Sequence, residues 1–175
     1  GYTRTLDEGA LTLSAINHKI LVESLPSNNS FDDFSLTMSF MLTQSDANDS
    51  VGLYIRGDSN LDHDYRIDIY GNSTYSISKE AIDSYGDLTT TYLTSSTRAP
   101  QLRHLDHGNR LTVLMKGPTL VLMINDSFVQ SVTDPDYTHV QIALFVENGP
   151  TSNGVEAVIT SIAVYPAPDE LPTST

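Results

Sequence analysis

Val51-Gly52-Leu53-Tyr54-Ile55-Arg56-Gly57 and Asp64-Tyr65-Arg66-Ile67-Asp68-Ile69-Tyr70-Gly71 decide the fold of this 175-residue chain. In both, aliphatic or aromatic residues recur at every second position, the period of an extended strand whose side chains alternate between two faces. Val51, Leu53 and Ile55 face one way while Tyr54 and Arg56 face the other, and Tyr65, Ile67 and Ile69 likewise oppose Arg66, Asp68 and Tyr70. A helix needs apolar positions three and four apart, and no segment from Phe31 to Tyr165 keeps that spacing. Gly57-Asp58 opens a loop after the first run. Gly71-Asn72 marks a hairpin turn into Tyr75-Ser76-Ile77, which places three consecutive strands side by side.

The same period continues outward in both directions. Upstream, Leu36, Met38 and Phe40 alternate with Ser35, Thr37 and Ser39, a half-buried strand, and Ala10 to Leu13 and Lys19 to Val22 supply two more. Downstream, Leu111 to Met115 and Leu120 to Ile124 flank the turn Lys116-Gly117-Pro118-Thr119. Asn125-Asp126 then turns the chain into Phe128-Val129, Asp134-Pro135-Asp136 punctuates it before Val140 to Phe145, and Val155 to Val164 forms a last strand. Roughly ten to twelve strands in all predict an all-β chain of two packed antiparallel sheets. The Ser/Thr-rich segment Thr89 to Thr97 reads as a low-complexity tract.

The length fits one domain, residues 1–166, which buries a core large enough to fold without staples. Residues 167–175 read as a Pro/Ser/Thr-rich linker or tail, the expectation being attachment to another domain in a longer chain. Without cysteine there is neither a disulfide framework nor a thiolate metal site. The 22 acidic against 9 basic residues, a net charge of −13, oppose binding to nucleic acid or to an anionic membrane surface. The longest apolar runs, such as Leu120 to Ile124, are too short to span a bilayer, which argues against direct membrane insertion.

A sequence of motifs then invites comparison with a known family: Phe31-x-x-Phe34 opening a strand, Gly52-Leu53-Tyr54-Ile55-Arg56, a Tyr-x-Ile-x-Ile strand ending in Gly71, Gly108-Asn109-Arg110-Leu111-Thr112-Val113, Asn125 in a hairpin, and Asp134 before a Val-x-Ile-x-Leu strand. From Ala10 to Pro166 this order resembles the concanavalin A-like lectin/glucanase superfamily. Within it, the chain looks like the laminin-G-like and keto-disaccharide hydrolase-type jelly rolls of bacterial extracytoplasmic proteins, receptor-like serine/threonine kinases among them. The resemblance implies a two-sheet antiparallel jelly-roll sandwich, an extracellular or extracytoplasmic location, and a concave face or loops that bind saccharide.

Catalysis of the kind found in family 16 glycoside hydrolases needs an E-x-D-x-E pattern on a strand, because retaining hydrolysis pairs a carboxylate nucleophile with a protonated acid about 5 Å away. The local counterpart, Arg66-Ile67-Asp68-Ile69-Tyr70, has Arg66 and Tyr70 where both catalytic carboxylates belong. None of the six glutamates, Glu8, Glu23, Glu80, Glu147, Glu156 and Glu170, lies in such a motif. No catalytic residue is therefore assigned. P-loop, dinucleotide and nucleophile-elbow motifs are missing as well.

Binding is better served. Tyr54, Arg56, Arg66, Asp68 and Tyr70 are expected to share one face, and sugars are held by aromatic stacking plus polar groups that satisfy hydroxyl pairs. The competing explanation is an Arg66/Asp68 or Arg56/Asp68 ion pair on a solvated face. The chain has no Trp, the largest stacking platform, but it has nine Tyr.

For metal, Asp58, Asp62 and Asp64 cluster oxygen donors in one loop, and Ca²⁺ takes about six to eight such ligands. The loop lacks the EF-hand order, and a solvated acidic loop is the default explanation for it. Asp46, Asn48 and Asp49 form a similar loop, and His104-Leu105-Asp106-His107 offers nitrogen and oxygen donors. Sequons at Asn28, Asn48, Asn72 and Asn125 mark surface loops. The sequence thus predicts a non-catalytic extracytoplasmic recognition or sensor domain for a saccharide or other small polar ligand, without an obligatory cofactor. The alternatives are a glycan-hydrolysing enzyme and a structural protein-interaction domain.

Overall fold

The computed structural model describes residues 2–7, 9–25, 32–58, 60–150 and 153–173; Phe31, Ser59 and the sequon at 28–30 lie outside the described residues. The described residues form thirteen strands and no helix: β1 Tyr2–Asp7, β2 Ala10–Ala15, β3 Ile20–Ser24, β4 Phe34–Gln44, β5 Ser50–Gly57, β6 His63–Tyr70, β7 Thr74–Ile82, β8 Leu88–Arg98, β9 Asn109–Lys116, β10 Thr119–Ile124, β11 Ser127–Thr133, β12 Gln141–Glu147 and β13 Val155–Pro166. A seven-stranded sheet runs β1-β2-β13-β4-β9-β10-β11 and a six-stranded sheet β3-β12-β5-β6-β7-β8, with antiparallel pairing throughout. This is a jelly-roll sandwich.

Alternation explains the core. On β4, Phe34, Leu36, Met38, Phe40 and Leu42 are buried and every residue between them is half-exposed. They meet Val51, Leu53 and Ile55 of β5, Tyr65, Ile67 and Ile69 of β6, and Ile77 of β7 from the opposite sheet, in one continuous apolar cluster. The hairpins follow turn chemistry. Asn125 and Asp126 sit at φ 51° and 68° between paired Ile124 and Ser127, the two left-handed positions that a two-residue turn matching strand twist demands. The Asn125 amide also donates to Gln101 O and Asn109 Oδ1, both at 2.9 Å.

Two features depart from the sequence reading. The Thr89 to Thr97 tract is not low-complexity coil but most of β8, an eleven-residue edge strand paired with β7. Thr and Tyr suit extended backbone, and an edge strand exposed on both sides has no reason to alternate apolar and polar residues. Register shifts opposite Ile77 disturb the period further, and such irregularities also protect a sheet edge. β5, in turn, is buried at all eight positions, so the face turned away from the core is not simply solvated.

The acidic loop at Asp46 to Asp49 is a clasp. Asp49 is fully buried; its Oδ1 accepts from Asn148 Nδ2 (3.1 Å) and Gly149 N (2.7 Å) and its Oδ2 from Asp46 N (2.9 Å). Asn148 Oδ1 in turn accepts from His18 N at 2.9 Å, so one carboxylate ties together the loops after β2, β4 and β12.

Candidate functional site

Because β12, β5, β6, β7 and β8 are neighbours, their even- and odd-numbered outward residues line up in rows across the outer face of the six-stranded sheet. One row runs Ala143, Tyr54, Arg66, Ser78, Tyr92; the next runs Phe145, Gly52, Asp68, Ser76; a third runs Glu147, Ser50, Tyr70. A fourth places Asp64 opposite Glu80 and Glu80 opposite Thr90. Large polar side chains alternate with Gly, Ala and Ser, and that difference in size hollows the face. The resulting cavity holds about 270 Å³ and is lined by Arg66, Asp68, Tyr70, Ser78, Glu80, Leu88, Thr90, Tyr92 and Glu147.

Gly52 makes the arrangement possible. A Cβ there would lie 1.8 Å from the Ile67 carbonyl oxygen and 2.9 Å from the Phe145 ring, so only glycine admits that ring beside Asp68. The Arg66 guanidinium stacks on the ring at 4.3 Å, and Tyr54 packs against the same ring with centroids 4.9 Å apart.

Arg66 is the hub. Its Nε and Nη2 donate to the two oxygens of Asp68, each at 2.8 Å; Nη2 also donates to Glu147 Oε2 at 2.5 Å and Nη1 to the Tyr54 hydroxyl at 3.3 Å. Asp68 accepts a further bond from Ser50 Oγ at 2.9 Å, and the Tyr70 hydroxyl bonds Ser76 Oγ at 2.9 Å. Burial works against the guanidinium's charge, but Asp68 and the other carboxylates outweigh it and hold the group firmly protonated. Burial raises the pKa of the Tyr54 hydroxyl, against the pull of Arg66.

Acid exceeds base here. Asp64 is completely enclosed, and apart from the Glu80 carboxyl that it faces no group among the described residues bonds either of its oxygens. Burial, then the charge of Glu80 facing it across the strand pair, pushes Asp64 up to about 8, and burial raises Glu80 as well. At neutral pH Asp64 therefore holds its proton.

Of the five expected ligand residues, four share this face and Arg56 does not. Between the pairs Tyr54–Ala143 and Gly57–Gln141, Ile55 and Arg56 of β5 oppose the single Ile142 of β12, and Arg56 adopts φ 48° in that bulge, so the alternation breaks there. Its guanidinium runs to the end of the sandwich, donating to Gly117 O (2.6 Å), Asp32 O (2.7 Å) and Asp33 Oδ1 (3.1 Å), and pins the β9–β10 turn. A wider hollow of about 500 Å³ opens there; the two Nη groups of Arg56 are tied to those three oxygens, and its buried Nε has no partner among the described residues. Tyr54 is on the right face but buried beneath Arg66, so it supports the hub and offers no stacking surface.

The expected metal loop does not converge. Asp58 Oδ1 accepts from the Asp62 and His63 amides and Oδ2 pairs with the His63 ring, while Asp64 turns onto the sheet face. His104 and His107 pair with Asp106 on the exposed surface. Among the described residues no three His, Asp or Glu side chains come together as a metal site.

Sequence reasoning missed Glu147, Phe145, Glu80 and Tyr92. Glu147 shares the parity of Phe145 on β12, and Glu80 that of Ser76 and Ser78 on β7. Those parities are visible in the sequence, but nothing in it places β12 beside β5.

The fold is that of the concanavalin A-like lectins and glucanases. A carbohydrate-binding module, CBM66, from Bacillus subtilis superposes with a TM-score of 0.63 at 12% identity, covering 94% of this chain and 91% of its own. A prokaryotic β-1,3-1,4-glucanase (lichenase) derived from a mouse hindgut metagenome gives 0.63 at 10% identity over 94% and 83%, and sheep galectin-11 gives 0.55 at 9% over 86% and 99%. No protein-family model matches the chain, and no curated sequence is significantly similar to it. At these identities the likeness establishes the fold.

Proposed function

We propose that this chain is a non-catalytic, extracytoplasmic recognition or sensor domain that binds a saccharide in the hollow on the outer face of its six-stranded sheet. The observation that carries the reading is the Arg66 hub: a desolvated guanidinium, fixed by Asp68, Glu147 and a Phe145 ring, on the floor of an open polar cavity walled by Tyr70 and Tyr92. Fixed polar groups with aromatic walls suit a ligand that is apolar on its ring faces and hydroxylated at its edges. The carbohydrate-binding module and the galectin among the structural neighbours add support. Tyr70 and Tyr92 take the stacking role, and Glu147 and Glu80 accept hydrogen bonds from hydroxyls.

Binding is favoured over hydrolysis by the state of the carboxyls. Asp68 is held in a two-pronged pair, Asp64 is sealed from solvent and Glu147 is paired with Arg66, which leaves Glu80 alone where retaining hydrolysis needs two free carboxyls. The extracytoplasmic placement rests on the family resemblance, and residues 167–175 serve as the tether to a neighbouring domain.

The test is a thermal-shift screen against a glycan panel, because a ligand selective for the folded state raises the midpoint by mass action. A glycan-specific rise that Tyr92→Ala abolishes and Glu147→Gln weakens is the expected result. A flat response across the panel, or a rise that both variants keep, removes the saccharide assignment. Release of reducing sugar from any panel member removes the non-catalytic one.

A further inference from the structure

We infer that the sugar taken by this face carries a free, protonated amine, seated between Glu80 and Glu147 and against the rings of Tyr70 and Tyr92. The inference rests on the saccharide reading above and narrows it to a chemical class.

The cavity is short of positive charge, with Arg66 its one cation against Asp68, Glu80 and Glu147. Arg66 spends two donors on Asp68, one on Glu147 and one on Tyr54. Glu80 gets none of them. Its side chain is only 6% exposed, the one hydrogen bond it receives among the described residues comes from the protonated Asp64 carboxyl, and the nearest Arg66 nitrogen stands 3.9 Å away, beyond hydrogen-bond reach. Asp64, sealed beside it, contributes that proton and nothing more, so two carboxyls share one proton and no other donor among the described residues reaches Asp64. Buried polar groups are nearly always satisfied and a carboxylate can accept several bonds, so the side that Glu80 turns to the cavity is where a ligand donates.

An ammonium group supplies what is lacking, three N–H donors and one positive charge, and charge-assisted bonds to carboxylates are stronger than those from neutral hydroxyls. A plain hydroxyl supplies the donor without the charge. A sulfated or uronate sugar meets three lining carboxyls, Asp68, Glu80 and Glu147, against one guanidinium that is already occupied. Tyr70 and Tyr92 line the same space, and an aromatic face attracts a cation. The net charge of −13 draws cationic ligands toward the surface from a distance. A volume near 270 Å³ is at the small end of ligand pockets, about 300 Å³, which suits a sugar terminus over a long stretch of polymer.

Three tetrasaccharides with one β-1,4 backbone isolate the amine: the chitosan tetramer with free amines, the fully N-acetylated chitin tetramer, and cellotetraose. Each is titrated calorimetrically into the intact chain at pH 6 in salt of about 0.15 M, where surface attraction is screened within roughly 8 Å. The chitosan tetramer is expected to bind about tenfold or more tightly than the other two, an advantage of about 1.4 kcal/mol or more. Glu80→Gln and Glu147→Gln should each erase most of that preference, and Asp106→Asn, an exposed acid elsewhere, should leave it intact. Glu147 is 37% exposed, so its variant reports even if Glu80→Gln fails to fold. Equal binding of the three sugars, or binding only of a neutral or anionic panel member, overturns the amine inference and leaves the saccharide reading standing. A preference that survives both glutamine variants assigns it to net charge and overturns the site. If no glycan of any class binds, the saccharide reading fails and the inference falls with it.

Discussion

The two faces of the β6–β7 strand pair carry two ionic clusters built to different rules. On the inner face, Lys79 lies opposite Tyr65 and pairs with Asp134 (2.9 Å) and Asp136, while the Tyr65 hydroxyl donates to Asp134 Oδ1 at 2.6 Å and the Asp136 amide to the same oxygen at 3.0 Å. The Asp134 carboxylate has three partners there and Lys79 two. Burial works against the Asp134 carboxylate, yet the bonds from Tyr65 and Lys79 hold its pKa below the usual range. On the outer face, Arg66 serves an excess of acid, and Asp64 and Glu80 are left with raised pKa values and one proton between them. The first cluster is satisfied as it stands and fastens the loop before β12 to the sheet. The second is completed only by something added. Unbalanced polar satisfaction, more than burial or charge, therefore separates the candidate site from a structural ion cluster.

Adjacent residues of β5 offer the severest contrast between the faces. Gly52→Ala, on the outer side, forces a Cβ into the Ile67 carbonyl and should cost about 3 kcal/mol or more, read as a lost or sharply lowered unfolding midpoint. Leu53→Met, its inward neighbour, should cost under about 1.5 kcal/mol. Next in size are the two cations. Arg66→Met strands Asp68 in a buried site and should cost about 3–5 kcal/mol in denaturant titration. Lys79→Met leaves Asp134 its bonds from Tyr65 and the Asp136 amide and should cost about 1–2 kcal/mol. Equal losses would mean the clusters do not differ as described.

The faces should also pull stability in opposite directions with pH. Asp64 has a folded-state pKa of about 8 against an ordinary 3.8, so the folded chain binds that proton more tightly; this stabilisation is complete below about pH 4 and is lost as pH rises through 8. Asp134 is lowered, so its stabilisation is present above pH 3.8 and is lost as pH falls through its folded value. Melting temperature is thus expected to peak on the acid side of neutrality. Asp64→Asn should flatten the alkaline limb, raising the midpoint at pH 9 by several degrees, roughly 2–4 °C for each kcal/mol recovered. Asp134→Asn should erase part of the acid limb. The smallest stability effects belong to the cavity rim: Glu147→Gln, which gives up a charged partner of Arg66, should cost about 1 kcal/mol and weaken glycan binding, and Tyr92→Ala should change stability by no more than about 0.5 kcal/mol while removing it.

Much of this architecture was legible. Strict alternation at Leu36 to Phe40 and Tyr65 to Ile69, with turn residues at Gly117-Pro118 and Asn125-Asp126, gave strand positions that the structure keeps to within a few residues. The face shared by Tyr54, Arg66, Asp68 and Tyr70 followed from the same parity. Arg56 was misplaced because a bulge shifts parity by one residue, and a bulge has no fixed sequence mark. β8 was overlooked because an exposed edge strand lacks the apolar pattern that reveals the others.

By itself the sequence determined the all-β class, the absence of disulfide chemistry, the acidic surface and the faces on which most side chains lie, because each is set by local spacing or by composition. Tertiary structure alone decided the site. Glu147 and Phe145 reach Arg66 across about eighty residues of chain because β12 inserts between β3 and β5, and Glu80 meets Asp64 through the register of a hairpin. Strand order and register bring distant side chains into contact and remove them from water, and only that desolvated proximity turns scattered carboxyls into one charged, incompletely satisfied cavity.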